Sequence, residues 1–145
     1  EMNLCPGKSV GAIIKNAEGK YLCLYRLKHP VGLAFVAGHI DPEDEGPSYA
    51  LVREVREESD LKMVRCKLIL HRVFPNTCKA SPNCNGHEWF VYNIDWYEGE
   101  VKLMEPDKHK FVKWLSVEEI YDYVLRKDYD PAWFEMILPM IALMK

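Results

Sequence analysis

The amino-acid sequence predicts a layered domain of the mixed α/β or α+β class. Short apolar runs typical of strands come first, a segment with helical spacing follows, and further strand-like runs lead to two more helical segments. The length of 145 residues is the usual size of one domain. With 48% apolar and 28% charged residues, the composition is that of an ordinary soluble globular protein. We therefore expect a single domain over residues 1–145.

Strands are expected where short apolar or alternating runs lie between turn-forming residues. The expected strands cover residues 10–14, 21–25, 32–37, 64–74, 87–96 and 111–115. The first two are joined by residues 16–20, whose turn chemistry predicts a β-hairpin. Residues 75–86 are rich in Pro, Asn, Ser and Cys. They are expected to form a long loop, the kind of segment that commonly carries substrate specificity.

Helices are expected where apolar residues recur at helical spacing. The expected helices cover residues 49–59, 116–126 and 131–144. Ser48 is the expected N-cap of the first, and Ser116 with Glu119 forms the expected capping box of the second. Pro139 is expected to kink or divide the third, because proline disrupts the hydrogen bonding of a helix interior.

Charge and cysteine content limit the partners and the compartment. The formal net charge of −3 argues against a protein that coats extended nucleic acid, which would carry a basic excess. Residues 1–8 lack a signal-peptide pattern, and no apolar run is long enough to span a bilayer. An odd number of scattered cysteines, five in all, suits a reducing compartment better than a disulfide framework. The sequence therefore predicts a cytoplasmic protein without a membrane partner.

The candidate chemistry lies in the first expected helix. Glu54, Glu57 and Glu58 are spaced i, i+3, i+4 and therefore share one helical face. Like charges at this spacing cost a few tenths of a kcal/mol per pair, which a bound divalent cation would offset. Oxygen ligands are those that Mg²⁺ and Mn²⁺ prefer. The alternative is a solvated, acidic helix face without a metal.

Residues 38–61 resemble the Nudix box, the signature of the Nudix hydrolase family. The signature runs Gly, five residues, Glu, seven residues, Arg-Glu-apolar-x-Glu-Glu-x-Gly-apolar, and its matches here are Gly38, Glu45, Arg53, Glu54, Glu57, Glu58 and Leu61. The resemblance implies a Nudix-type α/β/α sandwich with a mixed β-sheet. It also implies a Mg²⁺- or Mn²⁺-dependent hydrolase that cuts a phosphoanhydride bond.

Two positions depart from the signature. Six residues instead of five separate Gly38 from Glu45, so either the loop bulges or Glu43 or Asp44 takes part of the role of that glutamate. Asp60 stands where the family has a glycine that ends the helix in the left-handed conformation. Aspartate tolerates that conformation at a cost of roughly 1 kcal/mol, so we expect slightly lower stability and retained activity.

The resemblance assigns roles to the matching residues. The implied metal ligands are the carboxylates of Glu54, Glu57 and Glu58 and the carbonyl oxygen of Gly38. Arg53 would orient the glutamates through charge-assisted hydrogen bonds. Glu45 would either contact these ligands without touching the metal or bind the metal weakly.

The family's reaction is attack of an activated water on phosphorus, and the base that activates it differs among members. Glu54 is the first candidate for this base and Glu105 the second. A second resemblance supports Glu105: the segment Glu105-Pro106-Asp107-Lys108, and Ala37-Gly38-His39 at the start of the box, are similar to a Nudix subset whose members often act on nucleoside triphosphates. Glu105 is then also a candidate additional metal ligand; the alternative is an ordinary turn residue.

Candidate substrate-binding residues lie outside the box. Arg26 and Arg72 are placed to pair with phosphates, or else are solvated strand ends. Phe35 and Trp89 are candidates to stack on a base, an interaction worth roughly 1–3 kcal/mol, or else belong to the core.

A structural zinc held by Cys78, Cys84 and His87 is an alternative to a loop with unliganded thiols. His71 and His87 would face each other if their two strands pair in that register.

Three functions remain open at this point. The first is hydrolysis of a nucleoside triphosphate to the monophosphate and pyrophosphate. The second is the same chemistry on a nucleotide sugar or ADP-ribose. The third is a Nudix-fold module that binds nucleotide without cutting it, against which the intact Glu54, Glu57 and Glu58 argue. The expected partner is a small nucleotide, and a homodimer is a further possibility suggested by the family.

Overall fold

The computed structural model describes residues 4–75 and 83–144 of the chain. The elements in chain order are β1 Leu4–Ile14, β2 Tyr21–Arg26, β3 Gly32–Ala34, β4 Val36–His39, α1 Pro47–Ser59, β5 Lys62–Pro75, β6 Gly86–Glu98, β7 His109–Leu115, α2 Val117–Leu125, a π-helical turn Ala132–Ile137 and α3 Leu138–Leu143. Each expected strand and helix has a counterpart in the structure. Most ends differ from the expected ones by a few residues, and the largest difference is at β1, which begins six residues earlier than expected.

The strands form two sheets. The first has the order β4-β1-β6-β5 and is mixed, because β1 runs parallel to β6 and antiparallel to β4. The second has the order β3-β2-β7, and its pairs are antiparallel. Helix α1 packs against β4, β1 and β5 of the first sheet. The expected α/β class with a mixed sheet is confirmed.

The predicted hairpin of β1 and β2 is wrong. The two strands belong to different sheets, and an isolated bridge joins Lys15, just after β1, to Tyr21 of β2. Residues 9–14 of β1 are buried throughout, so this end of the strand lies inside a sheet, between β4 and β6. The turn itself has the expected chemistry, because the side chain of Asn16 accepts hydrogen bonds from the amides of Glu18 and Lys20.

The predicted strand at residues 32–37 divides at Phe35. β3 pairs with β2 in one sheet, and β4 pairs with β1 in the other, so the chain passes between the sheets at this residue. The division brings Ala37, Gly38 and His39 alongside α1.

Helix α1 is anchored by its buried apolar residues Ala50, Leu51 and Val55. Ser48 is not its N-cap: the helix begins at Pro47, and Gly46 caps it without a side-chain hydrogen bond. Proline is favoured in the first helical turn, because the amides there have no partner within the helix. The helix ends at Asp60, which has a left-handed backbone conformation with φ of 65° and ψ of 9°. This is the conformation expected at the position where the family has a glycine.

β5 and β6 form a long antiparallel pair. Their register places Phe74 opposite His87 and Phe90 opposite His71. The two histidines therefore do not face each other, and the register considered from the sequence does not form. Most of the expected loop at residues 75–86, including Cys78, lies outside the described residues.

A disulfide joins Cys5 to Cys84, which corrects the expectation of unpaired thiols throughout. That expectation rested on the odd number of cysteines, which does not exclude one pair beside free thiols such as Cys23 and Cys66.

The C-terminal elements follow the predicted pattern. Ser116 and Glu119 form the capping box of α2. The expected last helix is divided into the π-helical turn and α3, with Pro139 in the first turn of α3, because proline has no amide hydrogen for the helical bond. None of the helices within residues 4–75 and 83–144 is both long and apolar enough to cross a membrane.

Candidate active site

Helix α1 brings the acidic residues of the box against β4. The carboxylate of Glu58 accepts a hydrogen bond from the amide of Ala37 at 3.2 Å. The carboxylate of Glu54 lies directly over Gly38, where a Cβ atom would overlap its carboxyl carbon and both its oxygens. The glycine of the box is therefore required by a close approach of the helix side chain to the strand backbone.

Arg53 organises the carboxylates around it. Its Nη1 donates to Oε1 of Glu54 at 2.8 Å and lies 3.5 Å from both carboxylate oxygens of Glu57. Its Nη2 donates to the carbonyl oxygen of His39 at 3.0 Å, which ties the helix to the end of β4. A hydrogen bond to Asp44, and to a smaller extent the contact with Glu54, raise the pKa of Arg53 further above its already high value. The guanidinium is therefore a fixed cation that holds Glu54 and Glu57 in place.

The extra residue in the box is accommodated at Asp44. This carboxylate receives hydrogen bonds from Nε of Arg53 at 3.2 Å and from Nη2 at 2.8 Å, a bidentate contact. The contact lowers the pKa of Asp44. Glu45 is exposed. Of Glu43 and Asp44, the residues considered for part of the role of Glu45, Asp44 pairs with Arg53.

A group of potential metal ligands extends beyond the box. Glu58, Glu105 and His109 each place one ligand atom within 4.8 Å of the others. Glu105 belongs to the turn before β7, where its carbonyl oxygen accepts from the amides of Lys108 and His109 at 2.9 and 3.0 Å. This turn holds the first residue of β7 beside α1. His109 was missed in the sequence analysis; the signal for it was its position directly after the Glu105–Lys108 segment.

The carboxylates of this region raise one another's pKa values. Burial raises the pKa of Glu58 to about 8, and the nearby charges of Glu54 and Glu105 add to this effect. Burial also raises the pKa of Glu54, with further contributions from Glu57 and Glu105 that the hydrogen bond from Arg53 partly offsets. Burial lowers the pKa of His109, which favours the neutral imidazole.

The chemistry of this group fits a divalent cation. Buried Glu58 and half-buried Glu54 and Glu105 lie close enough for their charges to raise the pKa of Glu58. A divalent cation would reverse the like-charge repulsion and favour the ionised carboxylates. Glu57 stands apart from the tightest group, with its side chain 47% exposed.

The predicted phosphate-binding arginines differ in their surroundings. Arg26, at the end of β2, is half-buried and donates to the carbonyl oxygens of Pro30 at 3.0 Å and His29 at 3.3 Å. Its charge lowers the pKa of Glu58, so it lies near the acidic group. Arg72 lies on β5, the edge strand of the first sheet, and is exposed.

The predicted stacking residues are buried in the core. Phe35 is 4% exposed and Trp89 7% exposed, and both rings pack against Trp133, with centroid distances of 5.2 and 5.7 Å. Of the two alternatives given for these positions, the structure therefore shows the core, since Trp133 of the C-terminal π-helical turn fills the space beside both rings.

The proposed zinc ligands do not come together in the described residues. Cys84 is bonded to Cys5, and Nε2 of His87 is hydrogen-bonded to the hydroxyl of Ser9 at 2.6 Å. Cys78 lies outside the described residues. A zinc site that uses Cys84 is therefore excluded while the disulfide is present.

The family follows from a comparison with known sequences. The sequence model of the NUDIX domain matches residues 6–136. The chain belongs to the Nudix hydrolase family. No curated protein sequence matches it significantly.

Solved Nudix structures share the fold of this Nudix hydrolase. The MutT protein of Methanosarcina mazei Go1 is 23% identical over 99% of this chain and 96% of its own, with a TM-score of 0.72. The NUDIX domain of Shewanella oneidensis NrtR, complexed with ADP ribose, is 13% identical over 100% and 90%, with a TM-score of 0.66. The C. elegans Ap4A hydrolase is 21% identical over 80% and 85%, with a TM-score of 0.55. At these identities the likeness shows a shared fold.

Proposed function

We propose that this Nudix hydrolase is a divalent-metal-dependent pyrophosphohydrolase that cleaves a phosphoanhydride bond of a nucleoside triphosphate or another nucleoside diphosphate derivative. The observation that carries the proposal is the convergence of Glu58, Glu105 and His109 beside a Nudix box whose glutamates are held by Arg53. Hard oxygen ligands next to a phosphate-binding site are the usual setting for such a cation.

Mg²⁺ or Mn²⁺ is the proposed cofactor. Glu58 and Glu105 would hold it within the group of potential ligands, and the resemblance adds Glu54, Glu57 and the carbonyl oxygen of Gly38. When bound, the cation supplies charge stabilisation for the phosphoryl group that is transferred. Arg53 keeps Glu54 and Glu57 oriented before substrate arrives, which reduces the entropy lost in forming the reactive arrangement.

Glu54 is the proposed general base. Its carboxylate is fixed between the guanidinium of Arg53 and the backbone of Gly38, and burial keeps its pKa above the ordinary value for a glutamate. A raised pKa makes a carboxylate a stronger base. Glu105 is the second candidate, since it lies close enough to affect the pKa values of both Glu54 and Glu58. Full turnover by a Glu54→Gln enzyme would eliminate the first choice.

Arg26 is the proposed phosphate-binding residue from outside the box. It is half-buried, and its charge acts on Glu58. A polyphosphate carries more negative charge than one divalent cation neutralises. A guanidinium held beside the acidic side chains can pair with the remaining charge. Arg72 is exposed on an edge strand, which makes it the weaker candidate.

The substrate is proposed as a nucleoside triphosphate first and as a nucleotide sugar or ADP-ribose second. The Glu105–Lys108 segment is the feature that favours the triphosphate, because it resembles the subset that acts on such compounds. The second choice has the support of the ADP-ribose complex of the Shewanella oneidensis neighbour.

The test is release of phosphate and pyrophosphate from a panel of nucleoside triphosphates, nucleotide sugars, ADP-ribose and dinucleoside polyphosphates, with and without Mg²⁺ or Mn²⁺. Glu57→Gln should lower turnover by at least about 100-fold, the scale typical for removal of one group that stabilises transition-state charge. Glu118→Gln, the same chemical change at the start of α2, is the matched control and should keep wild-type turnover. Nucleotide binding without turnover on any compound would favour a binding module.

A homodimer completes the proposal, whereas the Cys5–Cys84 disulfide removes the cysteine argument for the cytoplasmic location expected from the sequence. Helix α2 leaves Val117, Tyr121 and Leu125 each more than half exposed at i, i+4 and i+8, an apolar stripe of the kind found at interfaces. Light scattering of the wild type and of Tyr121→Glu would test the dimer: a monomeric wild type would contradict it.

A further inference from the structure

His109 is a buried histidine whose ring is not satisfied by the surrounding protein. It is 3% exposed and occupies the first position of β7, beside α1 and the turn that contains Glu105. Its Nδ1 atom has no hydrogen-bond partner among the residues that the structure describes. Its Nε2 atom lies 3.5 Å from Oε2 of Glu58.

Neither neutral tautomer suits this environment while Glu58 is ionised. A protonated Glu58 could donate to Nε2, but the N–H at Nδ1 would still lack an acceptor among the described residues. If the proton is on Nε2, it faces Glu58 at a long distance, and the lone pair of Nδ1 is buried without a donor. If the proton is on Nδ1, that N–H lacks an acceptor, and the lone pair of Nε2 faces a carboxylate, which can offer no proton when ionised. Buried polar atoms without partners are uncommon and costly. A cation between Nε2 and the carboxylate of Glu58 turns the unfavourable lone-pair contact of the second tautomer into two bonds.

We infer that His109 is a nitrogen ligand of the divalent cation and shares this ion with Glu58 and Glu105. This inference rests on the proposed function, because it assigns a ligand to the same cation. It adds an imidazole from the second sheet to a site that the Nudix box alone describes as built from oxygen donors.

The separations of the three ligand atoms agree with a shared ion. Two ligands about 2.1 Å from one octahedral cation lie about 3.0 Å apart when adjacent and about 4.2 Å apart when opposite. The observed Nε2–Oε2 separation of 3.5 Å falls between these values, and all three ligand atoms lie within 4.8 Å of one another. A movement of about half an ångström would bring Nε2 and Oε2 to the separation of adjacent ligands.

A nitrogen ligand changes which ion the site prefers. Mg²⁺ favours oxygen donors, whereas imidazole suits transition metals. We therefore expect Mn²⁺ to bind more tightly than Mg²⁺, and His109→Gln to remove most of that preference. In the variant, the Kd for Mn²⁺ should rise at least about tenfold, on the scale of losses seen when groups around a metal site are changed. The Kd for Mg²⁺ should change by less than about threefold.

The decisive measurement is pulsed electron paramagnetic resonance of Mn²⁺ bound to the full chain. A ¹⁴N coupling in the wild type identifies a nitrogen ligand, and its absence from His109→Gln assigns that ligand to this residue. His87→Gln is the matched control, because His87 is also buried and also has an Nδ1 atom without a partner in the described residues, yet it lies on β6 against Ser9. Its Mn²⁺ affinity and ¹⁴N coupling should equal those of the wild type.

The outcomes separate this inference from the proposed function. Mn²⁺ binding with no ¹⁴N coupling in the wild type would overturn the assignment of His109 and leave the metal-dependent hydrolase intact. A coupling that survives in His109→Gln would also overturn it. If the wild type binds neither Mn²⁺ nor Mg²⁺, the proposed function fails together with the inference. The wild-type spectrum decides the matter even if His109→Gln does not fold.

Discussion

Replacement of Gly38 by alanine should disable the site through one displaced carboxylate. The added Cβ would overlap the carboxyl carbon and both oxygens of Glu54. Non-bonded carbon atoms pack at about 3.5–4.0 Å, so the carboxylate would have to move by about 1 Å or more. This movement pulls it away from Arg53, which now holds it at 2.8 Å. A misplacement of about 1 Å can cost about 100-fold in rate, which corresponds to about 2.7 kcal/mol of activation free energy.

The assay is kcat/KM on the best substrate of the panel, together with thermal melting to show that the variant is folded. Gly46→Ala is the matched control: it adds the same methyl group in the same box, where the Cβ would have no neighbour within 4 Å. Gly46 caps α1 without a side-chain bond, so no cap interaction is lost. Wild-type kcat/KM in a folded Gly38→Ala protein would refute the placement of Glu54 and its part in the reaction.

Three further predictions concern the loop, pH and the disulfide. Asp44→Asn should lower activity and melting temperature, whereas Glu45→Gln should leave both near wild type; the reverse order would contradict the observed pairing. Without a cation, the raised pKa of Glu58 should make the unfolding free energy fall as pH rises from about 4.5 to about 8, because the folded state retains the proton longer. Denaturant titrations of Glu58→Gln across this pH range should show a smaller slope than the wild type, and an unchanged slope would contradict this assignment. Reduction, or serine at Cys5 and Cys84, should lower stability by about 2–4 kcal/mol in chemical denaturation, unless thiol counting shows the pair unformed.

The fold was predictable where local sequence decides it. Capping chemistry at Ser116 and Glu119 and the break at Pro139 act within one or two helical turns, and both were predicted correctly. Strand partners are not local. The turn after β1 has hairpin chemistry, yet β1 pairs with β6, far along the chain, and β2 pairs with β7. The buried end of β1 has two strand neighbours, and turn residues do not reveal which strands these are.

The site was likewise predictable where its residues share one helix, and not where they depend on the path of a loop or on distant side chains. The spacing of Glu54, Glu57 and Glu58 places them on one face because they share a helix. The sequence left open whether the loop bulges or Glu43 or Asp44 takes part of the role of Glu45, since the inserted residue changes the path of the loop. A turn settles this choice: the amide of Asp44 donates to the carbonyl oxygen of Asp41, and the side chain of Asp44 accepts from the amide of Asp41. Base stacking and core burial were both left open for Phe35 and Trp89, because an aromatic side chain does not itself reveal whether another ring covers it.

The position of His109 gives the proposed cation a structural consequence. Glu58 belongs to α1, which packs on the first sheet, whereas His109 begins β7 of the second sheet. An ion shared by both residues would join the two sheets at the site, so its binding free energy would also stabilise their packing. At a concentration 100 times the Kd, this linkage amounts to about 2.7 kcal/mol. Mn²⁺ should therefore raise the melting temperature of the wild type and raise it less in His109→Gln, where the ion would keep Glu58 and Glu105 but lose the ligand that belongs to β7. An equal increase in both proteins would mean that His109 does not hold the ion.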